Sequence, residues 1–176
     1  SLIVTGQAFA QESAALEEIL VTAQKREQNI LEIPFAVSVI SEDEIKARGA
    51  LDIKDLQYSI PGLSITNNQP GQDRVQIRGA SSDVGLGSPT VGRYLDEVSV
   101  NSDATQRALD VPLLDIERVE VLRGPQGTLY GAGAIGGTVR FITNSPDLTD
   151  TSGELGVGFN SIDGGGNGYE LNGVVN

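Results

Sequence analysis

The sequence predicts an α+β fold: short helices set among strands, then a long hairpin that belongs to a larger sheet. Three observations predict it. Period-2 alternation recurs in short runs, at Phe35–Ile40, Arg74–Arg78, Arg118–Leu122 and Thr138–Thr143. Helix punctuation occurs in only two places, Ser41-Glu-Asp-Glu44 ahead of Gly49, and Asp52 ahead of Pro61-Gly62. Beyond Pro146 the composition shifts to glycine-spaced alternation that is still running at Asn176.

Taken in order, the first ten residues, Ser1 to Ala10, are apolar and end in Ala8-Phe9-Ala10, the small-x-small pattern of a signal-peptide cleavage site. The mature chain is expected to start near Gln11, outside the cytoplasm. The absence of Met marks the sequence as the continuation of a longer product. Residues 11–29 read as a flexible polar arm with one β-prone island, Ile19-Leu20-Val21-Thr22. Residues 35–40 form a strand, with Pro34 at its start, where no ladder donor is lost. Ser41 then caps a helix with Glu44 at N3, and the helix ends at Gly49. A second helix, Ile53–Tyr58, places Ile53 and Leu56 on one face.

Leu63–Thr66 and Arg74–Arg78 are strands, the latter with Val75 and Ile77 opposite Arg74, Gln76 and Arg78. Turn-rich stretches at 67–73 and 81–89 flank them. Val91–Val100 is a strand pair or a strand bent at Asp96-Glu97. Strands at 118–122 and 138–143 bracket a glycine-rich segment. In the last stretch Leu155, Val157 and Phe159 share one face, and Tyr169, Leu171, Gly173 and Val175 share the next. On this hairpin alone, a membrane-barrel strand pair and a soluble antiparallel sheet are both open.

Composition narrows the chemistry. The chain has no Cys and no His among 176 residues and a net charge of −12. Disulfides, thiolate chemistry, His-based zinc sites and Ser-His-Asp triads are excluded in this segment. An acidic chain without a basic patch argues against nucleic-acid binding. No nucleophile, base and metal-ligand constellation is present, so neither enzymatic activity nor a cofactor or metal is expected.

Gly131, Gly133 and Gly136 match G-x-G-x-x-G in spelling only. A dinucleotide loop needs a strand running into the glycines and a helix leaving them. Here the strand ends near Leu122 and Thr138-Val-Arg-Phe-Ile-Thr143, a strand sequence, follows. Six glycines between Gly124 and Gly137 instead suit a loop folded tightly against its neighbours.

The segment Glu117-Arg-Val-Glu-Val-Leu-Arg-Gly-Pro125, followed by Tyr130-Gly131, Ala134 and Gly136-Gly137, closely resembles the plug domain of TonB-dependent outer-membrane receptors. Ile77-Arg78-Gly79, Ile60-Pro61-Gly62-Leu63 and Tyr94-Leu95-Asp96 match further family positions. Glu97 stands where the family often has glycine, so the turn at 96–97 is not expected to be the usual tight one. The resemblance covers about Glu18 to Asn144. It implies a mixed β-sheet with short helices (30–146) lodged in a 22-stranded transmembrane barrel, of which 152–176 is the first, incomplete hairpin. It also implies an outer-membrane location, with the arm in the periplasm, and TonB-energised import of a scarce nutrient such as a metal–siderophore complex or a saccharide. A signal-transducing receptor of the same family and a soluble periplasmic binding domain are the competing readings.

The resemblance also assigns residues. Glu18, Ile19, Leu20, Val21, Thr22 and Ala23 look like a TonB box, which binds by adding a strand to its partner. The family's plug–barrel lock maps onto Arg78, Glu120 and Arg123. Gly79, Gly124, Gly131, Gly136 and Gly137 are the structural glycines. Gln72, Asp73 and Ser82, in outward loops, are the ligand-contact candidates.

Overall fold

The computed structural model describes residues 20–21, 28–29, 36–67, 73–80, 89–101, 111–131 and 133–176. The expected leader, most of the arm, Gln72 and Ser82 lie outside the described residues. So do Glu18, Ile19, Thr22 and Ala23 of the expected TonB box.

The centre is a five-stranded sheet. Its strands are β3 (Ala36–Ser41), β6 (Val91–Leu95), β7 (Val98–Ser99), β8 (Ile116–Arg123) and β9 (Gly137–Thr143), in the order β3-β8-β9-β6-β7. β6 runs parallel to β9, and the other neighbours are antiparallel, so the sheet is mixed. The interior strands β8 and β9 are buried along most of their length. Two-residue β1 (Leu20–Val21) pairs with β2 (Gln28–Asn29), and β4 (Leu63–Asn67) pairs with β5 (Asp73–Ile77).

Alternation gives the sheet two different faces. Val119, Val121, Val139, Phe141 and Val91 point one way, into a core shared with Ile45, Ile53, Leu56, Ile60 and Ile77. Helix α1 (Glu42–Arg48) covers part of that face through Ile45, and α2 (Ile53–Leu56) through Ile53 and Leu56. Both helices begin where the sequence expects and α1 ends where expected, whereas α2 ends at Leu56, short of the expected Tyr58. Ser41 Oγ accepts from the Glu44 amide, and Gly49, at φ 61°, donates to the Ile45 and Lys46 carbonyls. Asp52 and Asp55 form a reciprocal capping box on α2, which gives way to a 3₁₀ turn at Gln57–Ser59.

The turn at Asp96-Glu97 corrects an expectation. Tyr94 pairs with Ser99 and Leu95 with Val98, so only two residues close the hairpin. No glycine is needed, because Asp96 takes the positive φ itself, at 51°. Asp tolerates that conformation better than most residues. Its carboxylate is fixed by the Thr143 amide at 3.0 Å and the Thr143 hydroxyl at 3.1 Å.

The chain leaves the sheet through residues 144–152 and forms β10 (Gly153–Ser161) and β11 (Asn167–Val175). In this antiparallel pair Val157 faces Leu171 and Phe159 faces Tyr169. The Phe159 and Tyr169 rings lie 5.4 Å apart. No helix among the described residues is long and apolar enough to cross a membrane, which says nothing of strands.

Candidate functional site

The second face of the central sheet carries a buried pair of opposite charges beside its own small apolar cluster around Leu122. One cross-strand row contains Val39, Glu120, Arg140 and Tyr94. Glu120 is 0% exposed and Arg140 is 1% exposed. A charge so buried is tolerated only when paired and hydrogen-bonded. Arg140 meets that condition with both terminal nitrogens: Nη1 donates to Glu120 at 2.8 Å and Nη2 to Glu97 at 2.9 Å. The other Glu120 oxygen accepts from Arg118 Nε at 2.8 Å, and Arg118 also pairs with Glu117. The result is an alternating chain, Glu117–Arg118–Glu120–Arg140–Glu97, dry in the middle and reaching solvent at both ends.

The glycine-rich segment lies on this face. Its short helix α3 (Gly127–Tyr130) brings Tyr130 over the sheet. The Tyr130 ring stacks on Tyr94 at 5.1 Å and sits 5.9 Å from the Arg140 guanidinium. Tyr94 donates its hydroxyl hydrogen to the Tyr130 carbonyl at 2.5 Å. Burial pushes the Tyr130 hydroxyl pKa up, and the nearby Arg140 charge works against that rise. Gly124, Gly131 and Gly137 take positive φ, as does Gly79. At Gly137 the requirement is also steric: a Cβ there would come within 2.4 Å of the Leu122 carbonyl oxygen. Gly136 does not have positive φ; its constraint is the close approach of Ala80 and the Thr90 carbonyl.

The three residues of the expected lock separate. Arg78 and Arg123 converge on the Pro61-Gly62 turn. Arg123 Nη1 donates to the Pro61 carbonyl at 3.3 Å, and the Arg78 amide donates to the Gly62 carbonyl at 2.8 Å. Arg78 is exposed and Arg123 partly so. Glu120 lies on the opposite face, inside the sheet. Its carboxylate accepts from Arg118 and Arg140.

Reading the sequence missed Arg140, Glu97 and Tyr94 as members of one network. A signal was present: a lone arginine between Val139 and Phe141 in a central strand needs a buried carboxylate partner. Of the TonB-box candidates, Leu20 and Val21 are extended, with Leu20 opposite Asn29 and Val21 opposite Gln28. Of the ligand candidates only Asp73 is described, by its backbone, at the start of β5. Among the described residues no cluster of three or more acidic, His or Cys side chains is arranged to hold a metal.

The mixed sheet, its short helices and the glycine-rich cover can be compared with known proteins. Residues 29–138 match the family model of the TonB-dependent Receptor Plug Domain. The chain belongs to that family. Its plug is 36% identical over 149 residues to the iron-regulated outer membrane virulence protein of Vibrio cholerae serotype O1, an alignment covering 81% of this chain and 22% of that protein. It is 32% identical over 151 residues to the vitamin B12 transporter BtuB of Photobacterium profundum, covering 81% of this chain and 23% of the relative. Among solved structures, the ferric yersiniabactin uptake receptor FyuA from Yersinia pestis superposes with a TM-score of 0.60 at 34% identity, over 69% of this chain and 18% of FyuA. The plug chain thus spans about a fifth of the length of these relatives. The outer membrane is its cellular location, as it is for its relatives.

Proposed function

We propose that the whole protein imports a scarce nutrient across the outer membrane with energy delivered by TonB, the plug gating a surrounding barrel. One observation supports this most directly. The plug sheet runs within a few residues into a hairpin whose Leu155, Val157, Phe159, Tyr169 and Leu171 are each at least 65% exposed on one face. A plug followed at once by strands with a bare apolar face fits the start of a lipid-facing barrel. Relatives named for vitamin B12 and for ferric yersiniabactin support a cargo of that size, a ferric siderophore or another large ligand. A saccharide belongs to the same proposal.

In this reading residues 18–23 engage TonB by strand addition. The extended pairing of Leu20 and Val21 supports a segment that readily adopts the needed conformation. The test uses cells carrying the full-length receptor and a panel of labelled ferric siderophores and cyanocobalamin. Leu20→Pro removes a ladder donor, so energised uptake should be lost while surface binding is kept. Uptake that persists in cells lacking TonB overturns the import reading; uptake by Leu20→Pro at the unmutated rate overturns only the box.

A further inference from the structure

The cover of the second face of the sheet is built with a defect. Among the side-chain polar atoms there that are buried without a hydrogen-bond partner are Gln126 Nε2, Tyr130 Oη and Thr138 Oγ1. Gln126 is 4% exposed, Tyr130 7% and Thr138 0%. The first two sit on the eight-residue stretch from Gly124 to Gly131. Buried polar groups are normally satisfied, and an orphan favours any state in which water reaches it.

The same stretch is hinged. Gly124 has φ 109° and Gly131 φ 78°, and neither has a neighbour within 4 Å of where a Cβ would stand. Between them only Gln126 and Tyr130 are deeply buried. The stretch is held down by the Gly124 amide on the Gly136 carbonyl at 3.1 Å and the Gln126 amide on the Ala134 carbonyl at 2.8 Å. A further tie is the Tyr94 hydroxyl on the Tyr130 carbonyl.

We infer that residues 124–131 form a strap that lifts from the central sheet, with the Tyr94 hydroxyl as its clasp and the unpartnered Tyr130 hydroxyl as a built-in bias towards opening. Lifting lets water reach Gln126 and Tyr130 and uncovers the row Gly92, Thr138, Leu122. The strap's role in passage rests on the import reading; its motion does not.

Two conservative variants separate this from a merely structural role, because they shift the strap in opposite directions. Tyr94→Phe deletes the clasp and keeps the ring stack. Tyr130→Phe deletes the orphan hydroxyl and keeps the ring. In the purified full-length receptor, amide hydrogen exchange at Gln126 and Tyr130 should speed up about 2- to 10-fold in Tyr94→Phe, the range one hydrogen bond commands, and slow by at least about 5-fold in Tyr130→Phe, the lower end of what one orphan group commands. Shifts in the same direction, or none in either variant, overturn the strap. In cells, vancomycin sensitivity should rise with Tyr94→Phe and not with Tyr130→Phe. Opposite exchange shifts with unchanged vancomycin sensitivity overturn the role in passage and leave the import reading intact, since TonB-dependent uptake is measured separately.

Discussion

At the scale of single residues, Arg140 has the most to lose. It ties β9 to β8 through Glu120 and to the β6–β7 turn through Glu97. Removing one member of a buried ion pair leaves the other charge uncompensated, at a cost of about 3–5 kcal/mol. Arg140→Leu in the full-length receptor should therefore lower the denaturant midpoint of the plug transition by that equivalent. The double change Arg140→Leu with Glu120→Leu should recover a large part of the loss, since Arg118 retains Glu117 and Glu97 is 55% exposed at the surface. A double variant as unstable as the single one would show that charge pairing is not what holds this row. Sequence patterning could place Arg140 on a strand but could not say which carboxylate would face it. That depends on β9 lying between β8 and β6, a crossover no local window encodes.

At the scale of elements, the most legible parts were those governed by local chemistry. Ser41 and Gly49 bound α1, Asp52 starts α2, and the alternating runs became strands with the expected faces. The Asp96-Glu97 turn was misread because glycine is the usual carrier of positive φ there. Asp96 carries it instead, held by Thr143 from a strand more than forty positions away. Helix α3 was not expected either: its four residues begin with Gly127 and are followed by Gly131, and burial of Tyr130 rather than propensity holds it in place. The hairpin β10–β11 was legible as alternation, with its apolar side bare. An arginine on the lipid side of a barrel strand costs about 2–4 kcal/mol near the bilayer midplane. Leu171→Arg should accordingly reduce the amount of heat-modifiable receptor in outer-membrane fractions. Asn172→Arg, on the opposite face against Gly156, should not. Equal loss from both would argue that the hairpin is not lipid-facing.

At the scale of the whole molecule, the plug presents charge outward where Arg78 and Arg123 adjoin the Pro61-Gly62 turn. Of the expected lock, Arg78 and Arg123 lie at this turn, and Glu120 lies within the sheet against Arg118 and Arg140. Arg123→Ala should make cells expressing the full-length receptor more sensitive to large antibiotics while surface ligand binding persists; unchanged permeability would remove Arg123 from the lock. A second tie is already visible inside the chain. Lys46 on α1 donates to Glu154 on β10 at 2.7 Å, and Glu42 joins at 3.0 Å. These carboxylates push the Lys46 pKa upward.

The connector between β9 and β10 has a geometric consequence. Nine residues, 144–152, join the last strand of the sheet to the first strand of the hairpin. Fully extended, such a span reaches roughly 30 Å, because each residue adds at most about 3.3–3.6 Å. With the hairpin anchored in a membrane, β9 is on a leash of that length. In the import reading, a pull on the N-terminal arm reaches the edge strand β3 before the central strand β9, and β9 stays within that reach of the hairpin.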